Sequence, residues 1–512
     1  MDGQPTSATK PCPVTVEAVA AEARQAFEVL LSFCLEQDGT FWEGEKCLLS
    51  RVFALGGILV RLLLVSRHLR LNLEPYLALE GYRLGEAYAE RRLKTAFGEI
   101  LYGRAHLIRE GGGCGFHPLD AVLGLTRDGF SPWMVQFVTR LATRMSYGAS
   151  RLICRAALGW SPSTEAIEHL VLGLGRQAAP FMKQQAAPRD DGEVLVIEVD
   201  GKCPPTATES ELRKRRGRRT HKQGCTCGCQ RHRGKAKRRA RGSKRRRKKG
   251  DKSKNGKEVM VVVMYTLRRS ADGKLHGPLN KRTWASFGGR KAAALWAREE
   301  ATRRGFEPET TKTVQIVVDG AKGLKENLEE QFPRAIFTLD VCHVVEKLWE
   351  VGHRFHAEGS EELKAQVEQW KRLVYEGRAA TLVQRLRELW QQVPPRGPGT
   401  RGRRQALEKL IGYLEPRLGM MRYDEWIKQD MVIASGQVEG AVRHVVGERM
   451  DCAGMRWIPQ RAEALLHLRC IELNGDWEPF IGWAYQRYHE QLQNREAVRI
   501  RTDKPMDLAR AA

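Results

Sequence analysis

The chain has no run of about 20 apolar residues of the kind that crosses a bilayer. Its longest apolar stretch, Val52 to Val65, is interrupted by Arg61 and reads as a buried helix. It also lacks a basic start followed by an apolar run: it begins Met1-Asp2-Gly3-Gln4-Pro5, so a secretory leader is not expected. Paired cysteines are scarce. Nine of the 12 stand singly (Cys12, Cys34, Cys47, Cys114, Cys154, Cys203, Cys342, Cys452, Cys470), which points to a reducing cytosol rather than a disulfide framework. Acidic charge is short too, with 61 Asp and Glu against 86 Lys and Arg, a net charge of +25.

That charge is not spread evenly. From Glu211 to Lys257 there are 23 Lys and Arg against two acids, so 47 residues carry +21 and the other 465 carry +4. A near-neutral globular chain with one dense cationic segment suits a polyanion, most often nucleic acid. The segment lacks interleaved large apolar residues, so it cannot form the apolar face of a membrane-surface helix, and no membrane partner is expected. At 512 residues with 42% hydrophobic content, the chain is long enough for about three domains with ample core.

The periodicity divides the chain. Residues 14 to about 100 read as helix-rich, with apolar residues at three- and four-residue spacing. Ser131-Pro132 places an N-cap before a first-turn proline and predicts a helix to about Leu158. After Gly159-Trp160, Ser161-Pro162 opens another helix, Ser163 to Leu172. The pair reads as a helix-turn-helix or as an ordinary helical hairpin. At Gly192 the pattern changes. Val194-Leu195-Val196-Ile197-Glu198-Val199, Val259 to Tyr265, Thr283 to Phe287, Thr313 to Val318 and Ala335 to Leu339 read as five strands. Helices Arg290 to Arg304 and Leu324 to Phe332 separate the later ones. Three antiparallel strands joined to a parallel α/β half match the α/β ribonuclease-H-like mixed-sheet fold. The expected organisation is a helical N-terminal region (1–185) with DNA-end binding assigned to its helix-turn-helix, then a catalytic core (192–343) with a basic insertion (209–257). A helical insertion (344–430) and a C-terminal region (431–495) complete it.

Two of these strands end in Asp-Gly, at Asp200 and Asp319, and would be neighbours in such a sheet. Two carboxylates that close stay ionised only with a cation between them. Oxygen ligands favour Mg²⁺ or Mn²⁺. Ser435 reads as an N-cap that places Glu439 early in a helix, able to supply a third carboxylate. Two ions so held perform phosphoryl transfer on DNA. The expected catalytic and metal-binding set is Asp200, Asp319 and Glu439. Asp340 ends the next strand, and its spacing to His343 puts both on one helix face. It is an alternative second ligand, an accessory group with His343 and Arg443, or a helix cap.

The cluster Cys225, Cys227, Cys229 and His232 has one-residue gaps where zinc sites prefer two to four, so it reads either as an unusual Zn²⁺ clip or as plain thiols. The cations Arg213, Lys214, Arg215, Arg216, Lys237, Arg238, Arg239, Arg245, Arg246, Arg247, Lys248 and Lys249 would collect phosphates without reading bases.

Leu195-Val196-Ile197-Glu198-Val199-Asp200-Gly201-Lys202 resembles the first-strand signature of bacterial insertion-sequence DDE transposases of the Kra-type family, relatives of the mutator-like group. Val318-Asp319-Gly320-Ala321-Lys322-Gly323-Leu324 with Phe332-Pro333 is similar to that group's second-Asp block, and Asp340-Val341-Cys342-His343 to the motif downstream. Ser435-Gly436-Gln437-Val438-Glu439, Arg449-Met450 and Gly454-Met455-Arg456-Trp457 resemble its Glu block. Cys114-Gly115-Phe116-His117-Pro118-Leu119-Asp120 with Leu123-Gly124-Leu125 resembles its N-terminal half. One departure bears on any zinc site there: Ile108-Arg109-Glu110-Gly111 stands where the family carries a cysteine pair. The resemblance spans about residues 95 to 475. It implies a DNA transposase performing Mg²⁺-dependent strand cleavage and transfer, DNA transposon ends and target DNA as partners, a homodimer on DNA, and a cytoplasmic, nucleoid-associated location. A nuclease or resolvase on the same fold, or a non-catalytic DNA binder, would share parts of the pattern.

Overall fold

The computed structural model describes residues 14–78, 81–111, 115–212, 256–307, 311–321, 323–452 and 455–499. The cations from Arg213 to Lys249 and the cluster Cys225, Cys227, Cys229 and His232 lie outside the described residues. The chain forms two compact units, residues 1–181 with 477–512, and residues 182–476.

The first unit opens with two helices, α1 (Val16–Glu36) and α2 (Phe41–Leu69). Thr40 and Glu43 form a capping box at the start of α2, satisfying two of its free N–H groups. The expectation of a buried helix at Val52 to Val65 is not met. Along the 29 residues of α2 only Leu64, Val65 and His68 are buried. By length and composition it is the one described helix long and apolar enough to cross a membrane, against the expectation that no stretch is; α1 and β2 pack against it, as do Leu119 and Leu125 through Leu64.

Those strands are a second departure. Helix-rich character stops before residue 82, and β1 (Tyr82–Thr95) pairs antiparallel with β2 (Gly98–Arg109). The cause is a period of two. Arg91, Leu93 and Thr95 are buried with exposed or half-buried neighbours, and Ile100 and Tyr102 face them from β2. Gly98, at φ +100, makes the turn. Next come α3 (Pro118–Leu123) and α4 (Pro132–Arg144), with Ser131 accepting from the Met134 N–H at 3.3 Å. The single helix expected to Leu158 breaks at Met145. Ser146 caps a new one, α5 (Tyr147–Leu158), and α6 (Thr164–Gly175) follows Ser163. Ser146 accepts from its own helix at Ala149 N, so the chain gains a cap by stopping and restarting.

The second unit is built on a five-stranded mixed sheet in the order β5-β4-β3-β6-β7: β3 (Val194–Lys202), β4 (Val259–Arg269), β5 (Leu275–Ser286), β6 (Thr313–Val318) and β7 (Ile336–Leu339). β4 runs antiparallel to both β3 and β5, and β6 and β7 continue parallel to β3. Val194–Val199 and Val259–Leu267 are continuously buried, as a strand covered on both faces requires. Helices α7 (Gly289–Arg303) and α8 (Leu324–Gln331) connect the strands, and α9 (Val341–Gly352), α10 (Glu361–Tyr375), α11 (Ala379–Gln392) and α12 (Thr400–Leu414) form the helical insertion. A short helix α13 (Gly436–Val442) runs into a π-helical turn at Arg443–Gly447, and α14 (Pro459–Leu473) follows. Buried Leu, Val and Ala stripes on α9, α10, α11 and α12 explain why this insertion packs: each fully buried aliphatic side chain contributes about 1.5–3 kcal/mol.

Candidate active site

The register of the parallel strands sets the site. Val199 pairs with Val318, and Val318 with Leu339. The next residues, Asp200, Asp319 and Asp340, therefore stand in a row at the carboxyl ends of three adjacent parallel strands, where open α/β sheets collect ligands.

The three acids differ in what holds them. Asp200 Oδ1 accepts from the Gly201 N–H at 2.6 Å, and Asp319 Oδ1 from the Ala321 N–H at 2.8 Å. The second oxygen of each takes no donor among the described residues. Asp340 is fully buried and saturated. Its Oδ1 accepts from Cys342 N at 3.0 Å and Ser435 N at 3.4 Å, and its Oδ2 from Ser435 Oγ at 2.7 Å and His343 Nδ1 at 2.5 Å. Burial alone would raise this carboxyl, but the bonds from His343, Ser435 and Cys342 together hold it below the ordinary range. The bond from His343 to Asp340 pushes the imidazole up to about 9, against its burial, so it is a cation at neutral pH.

Glu439 is exposed and has no side-chain partner among the described residues. Its place is set by the backbone leading to it. Gln315, buried in β6, donates from Nε2 to Val432 O at 2.6 Å and accepts from Val432 N at 3.1 Å. Val341 N donates to Ile433 O at 3.0 Å. Ser435 binds Asp340. Glu198, fully buried two residues before Asp200, accepts from Val438 N at 2.8 Å through Oε2 and from the Tyr265 hydroxyl at 2.7 Å through Oε1. Burial pushes the Glu198 carboxyl up to about 7, with Tyr265, Val438 and Gln437 pulling the other way. Three buried polar side chains thus fasten residues 432–438 across the strand ends. Glu198 and Gln315 carry this work without having stood out in the sequence. Each is a single polar residue inside an apolar β-branched run, and a buried polar group is the informative exception in a core.

Ligand atoms of Asp340, His343 and Glu439 lie within 4.8 Å of one another. Asp200 and Asp319 are outside that group but within electrostatic reach. Burial raises the Asp200 carboxyl, and the Asp319 and Glu439 charges push the same way while Gly201 and His343 pull it down. The group brought within ligand distance is thus Asp340, His343 and Glu439, and of the expected set Asp200, Asp319 and Glu439 only Glu439 belongs to it; Asp200 and Asp319 stand by it as neighbouring charges. Arg443, exposed, begins the π-helical turn. The insertion reaches the site as well. The Tyr413 hydroxyl donates to Asp319 O at 2.8 Å and Arg417 Nη2 to Gly320 O at 2.6 Å. Gly320 sits at φ +78, and a Cβ there would lie 2.6 Å from Arg417 Nε, so the Asp-Gly turn requires glycine.

In the first unit, α5 and α6 keep a short glycine-containing connection, but α6 carries Glu165 and Glu168 and no Lys or Arg, a poor match for a helix against phosphates.

No protein-family model matches the chain, and no curated protein matches it. Among solved structures, a Drosophila P element transposase strand transfer complex resembles it at 11% identity with a TM-score of 0.30, over 69% of this chain and 94% of that one.

Proposed function

We propose that the chain is a DNA transposase with a ribonuclease-H-like core, cleaving DNA and joining its ends through Asp200, Asp319 and Glu439. The observation that carries the reading is the register, which lines Asp200 beside Asp319 at parallel strand ends while three buried polar groups deliver Glu439 to the same edge. The strand order, three antiparallel strands followed by two parallel to the first, supports the fold assignment.

The donor set fits hard divalent cations. Asp200 and Asp319 each keep one oxygen free of protein donors, and Glu439 keeps both. A carboxyl raised by burial and further by its acidic neighbours gains most from a cation among them. Two Mg²⁺ or Mn²⁺ ions would supply activation of a water or 3′-hydroxyl and neutralisation of the leaving oxygen. Asp200, Asp319 and Glu439 would hold them. Asp340, with its lone pairs already used, is the weaker ligand. It orients the His343 ring and keeps it protonated, setting a positive charge where a phosphate would otherwise meet only acids. The basic segment between Leu212 and Gly256 supplies sequence-independent attraction for the duplex. Assembly as a homodimer on paired ends belongs to the same reading.

The test is Asp200→Asn assayed on labelled duplex with Mg²⁺. Strand transfer is expected to vanish while duplex binding stays, because the change removes ligand charge and no phosphate contact. Joined product from that variant overturns the mechanism. Cleavage without joining by the unaltered chain identifies a nuclease instead.

A further inference from the structure

A second cationic site lies in the first unit, on the ribbon β1–β2. Arg91, opposite Tyr102, and Arg104, opposite Ala89, are diagonal neighbours across it, with side chains 8% and 13% exposed. Both reach one carboxylate, Asp120 of α3, with Arg91 Nη1 2.7 Å from Oδ1 and Arg104 in contact with Oδ2. A buried guanidinium, Arg91, and a half-buried one, Arg104, share the single half-buried carboxylate of Asp120, so the trio carries a surplus positive charge, and a charge withdrawn from water is costly unless paired. The bonding is incomplete as well. Among the described residues Arg104 Nε, fully buried, has no acceptor, and neither Nη1 meets Asp120 with hydrogen-bond geometry.

These groups line a cavity of about 540 Å³. Exposed Arg92 and Arg127 stand on its wall, against the single further acid Glu90. Arg92 is committed to Glu99 at 3.2 Å, which leaves Arg127 as the cation at the mouth. His117, also on the wall, gives its Nδ1 proton to Ala105 O at 3.1 Å. Burial, then the charge of Arg104, pushes this imidazole down to about 4, and burial and Arg91 push Arg104 itself down to about 10. In both groups burial is the larger cause and the neighbouring guanidinium the second.

We propose that this cavity is a phosphate-binding site, filled by a backbone phosphate of the DNA on which the chain acts. A tetrahedral oxyanion supplies what the cavity lacks: negative charge for the surplus guanidinium, and acceptors for Arg104. The phosphate chemistry stands on the cavity alone; its assignment to DNA rests on the transposase reading. It also gives the first unit a phosphate contact that the acidic α6 does not offer.

The experiment uses the full chain. Inorganic phosphate is titrated while the His117 ring resonance is followed, assigned with His117→Gln. In parallel the salt dependence of binding to a short duplex is measured for the unaltered chain, Arg104→Met and Arg127→Ala. Phosphate is expected to move the His117 resonance saturably and to bind at least tenfold more weakly to Arg104→Met and several-fold more weakly to Arg127→Ala. The log–log salt slope for duplex should flatten by about 0.9 for the phosphate lost. Saturable phosphate binding with an unchanged duplex slope overturns the DNA assignment in favour of a free phosphate ligand. An unmoved His117 resonance overturns the site. Arg127→Ala, at an exposed position, keeps the test valid if Arg104→Met does not fold. Asp200→Asn should leave both readouts unchanged, so failure of this site and failure of the catalytic reading are separable.

Discussion

Glu198 makes the sharpest prediction, because its task is positional. Glu198→Ala strips the acceptor from two buried donors, the Val438 N–H and the Tyr265 hydroxyl. Each orphaned donor costs roughly 1–3 kcal/mol, and relief from burying a carboxyl returns part of that, so a net loss of about 2–4 kcal/mol is expected. The greater effect is on Glu439, whose helix start is released from the strand carrying Asp200. By analogy with outer-sphere partners of metal ligands, Mn²⁺ affinity should fall about 10- to 100-fold. Glu198→Gln keeps the shape. Its amide oxygen can accept from Val438 N while its NH₂ donates to the Tyr265 hydroxyl, which serves either role. Stability within about 1 kcal/mol and Mn²⁺ affinity within a few-fold are expected. Tyr265→Phe removes one donor but spares the Val438 contact, and should cost about 1 kcal/mol of stability with no change in Mn²⁺ affinity. Urea unfolding and Mn²⁺ titration read the two quantities apart. Unchanged Mn²⁺ affinity in a folded Glu198→Ala chain refutes the positional role, as does Glu198→Gln behaving like Ala.

Asp319 and Asp340 should separate in the same pair of assays: Asp319→Asn lowers Mn²⁺ affinity with little loss of stability, whereas Asp340→Asn destabilises by several kcal/mol and returns the His343 pKa from about 9 toward 6.5. The reverse pattern would exchange their roles. Gly320→Ala, forced to a positive φ against Arg417, should cost at least about 1–2 kcal/mol in urea unfolding, and a neutral result would refute the clamp. His117 sets a pH dependence on the first unit. Its folded pKa of about 4 lies below the unfolded value of 6.5, so between these the unfolded chain binds more protons, and stability falls as pH drops through that window. The loss is at most about 2–3 kcal/mol. Hydrogen exchange of β2 should record it, and His117→Gln should flatten it; an unchanged slope in that variant would place the titration elsewhere.

The core sheet was legible because its strands are dense β-branched runs, and their order left few arrangements. Asp200, Asp319 and Asp340 were legible as acids ending such runs. The distinction between them was not, since it depends on which lone pairs Ser435, Cys342 and His343 occupy across long gaps in sequence. Glu198 and Gln315 were readable only as anomalies, because their partners sit on a segment more than 100 residues away. In the first unit, charged residues at exposed and even buried positions obscured the two-residue period of β1; buried Arg91 reads as a surface residue until Asp120 comes into contact with it. How little of α2 is buried among the described residues could not be read from α2 itself, since its composition suits burial.

The root of the basic segment has its own consequence. Lys202 pairs with Val259 at the far end of the β3–β4 ladder, Pro205 bridges Gly256, and Thr206 and Ala207 lean on Trp457. Departure and return are thereby pinned together, two to five residues past Asp200. The described ends of the cationic segment are therefore tied to the same sheet edge as Asp200. If the chain acts on a polyanion, an acidic edge alone would repel it, and cations anchored at that edge are covalently linked to the acids they offset, an attraction that salt screens over about 8–10 Å. The neck at Pro205 and Gly256 is thus the part of the segment whose geometry bears on the acids at the sheet edge.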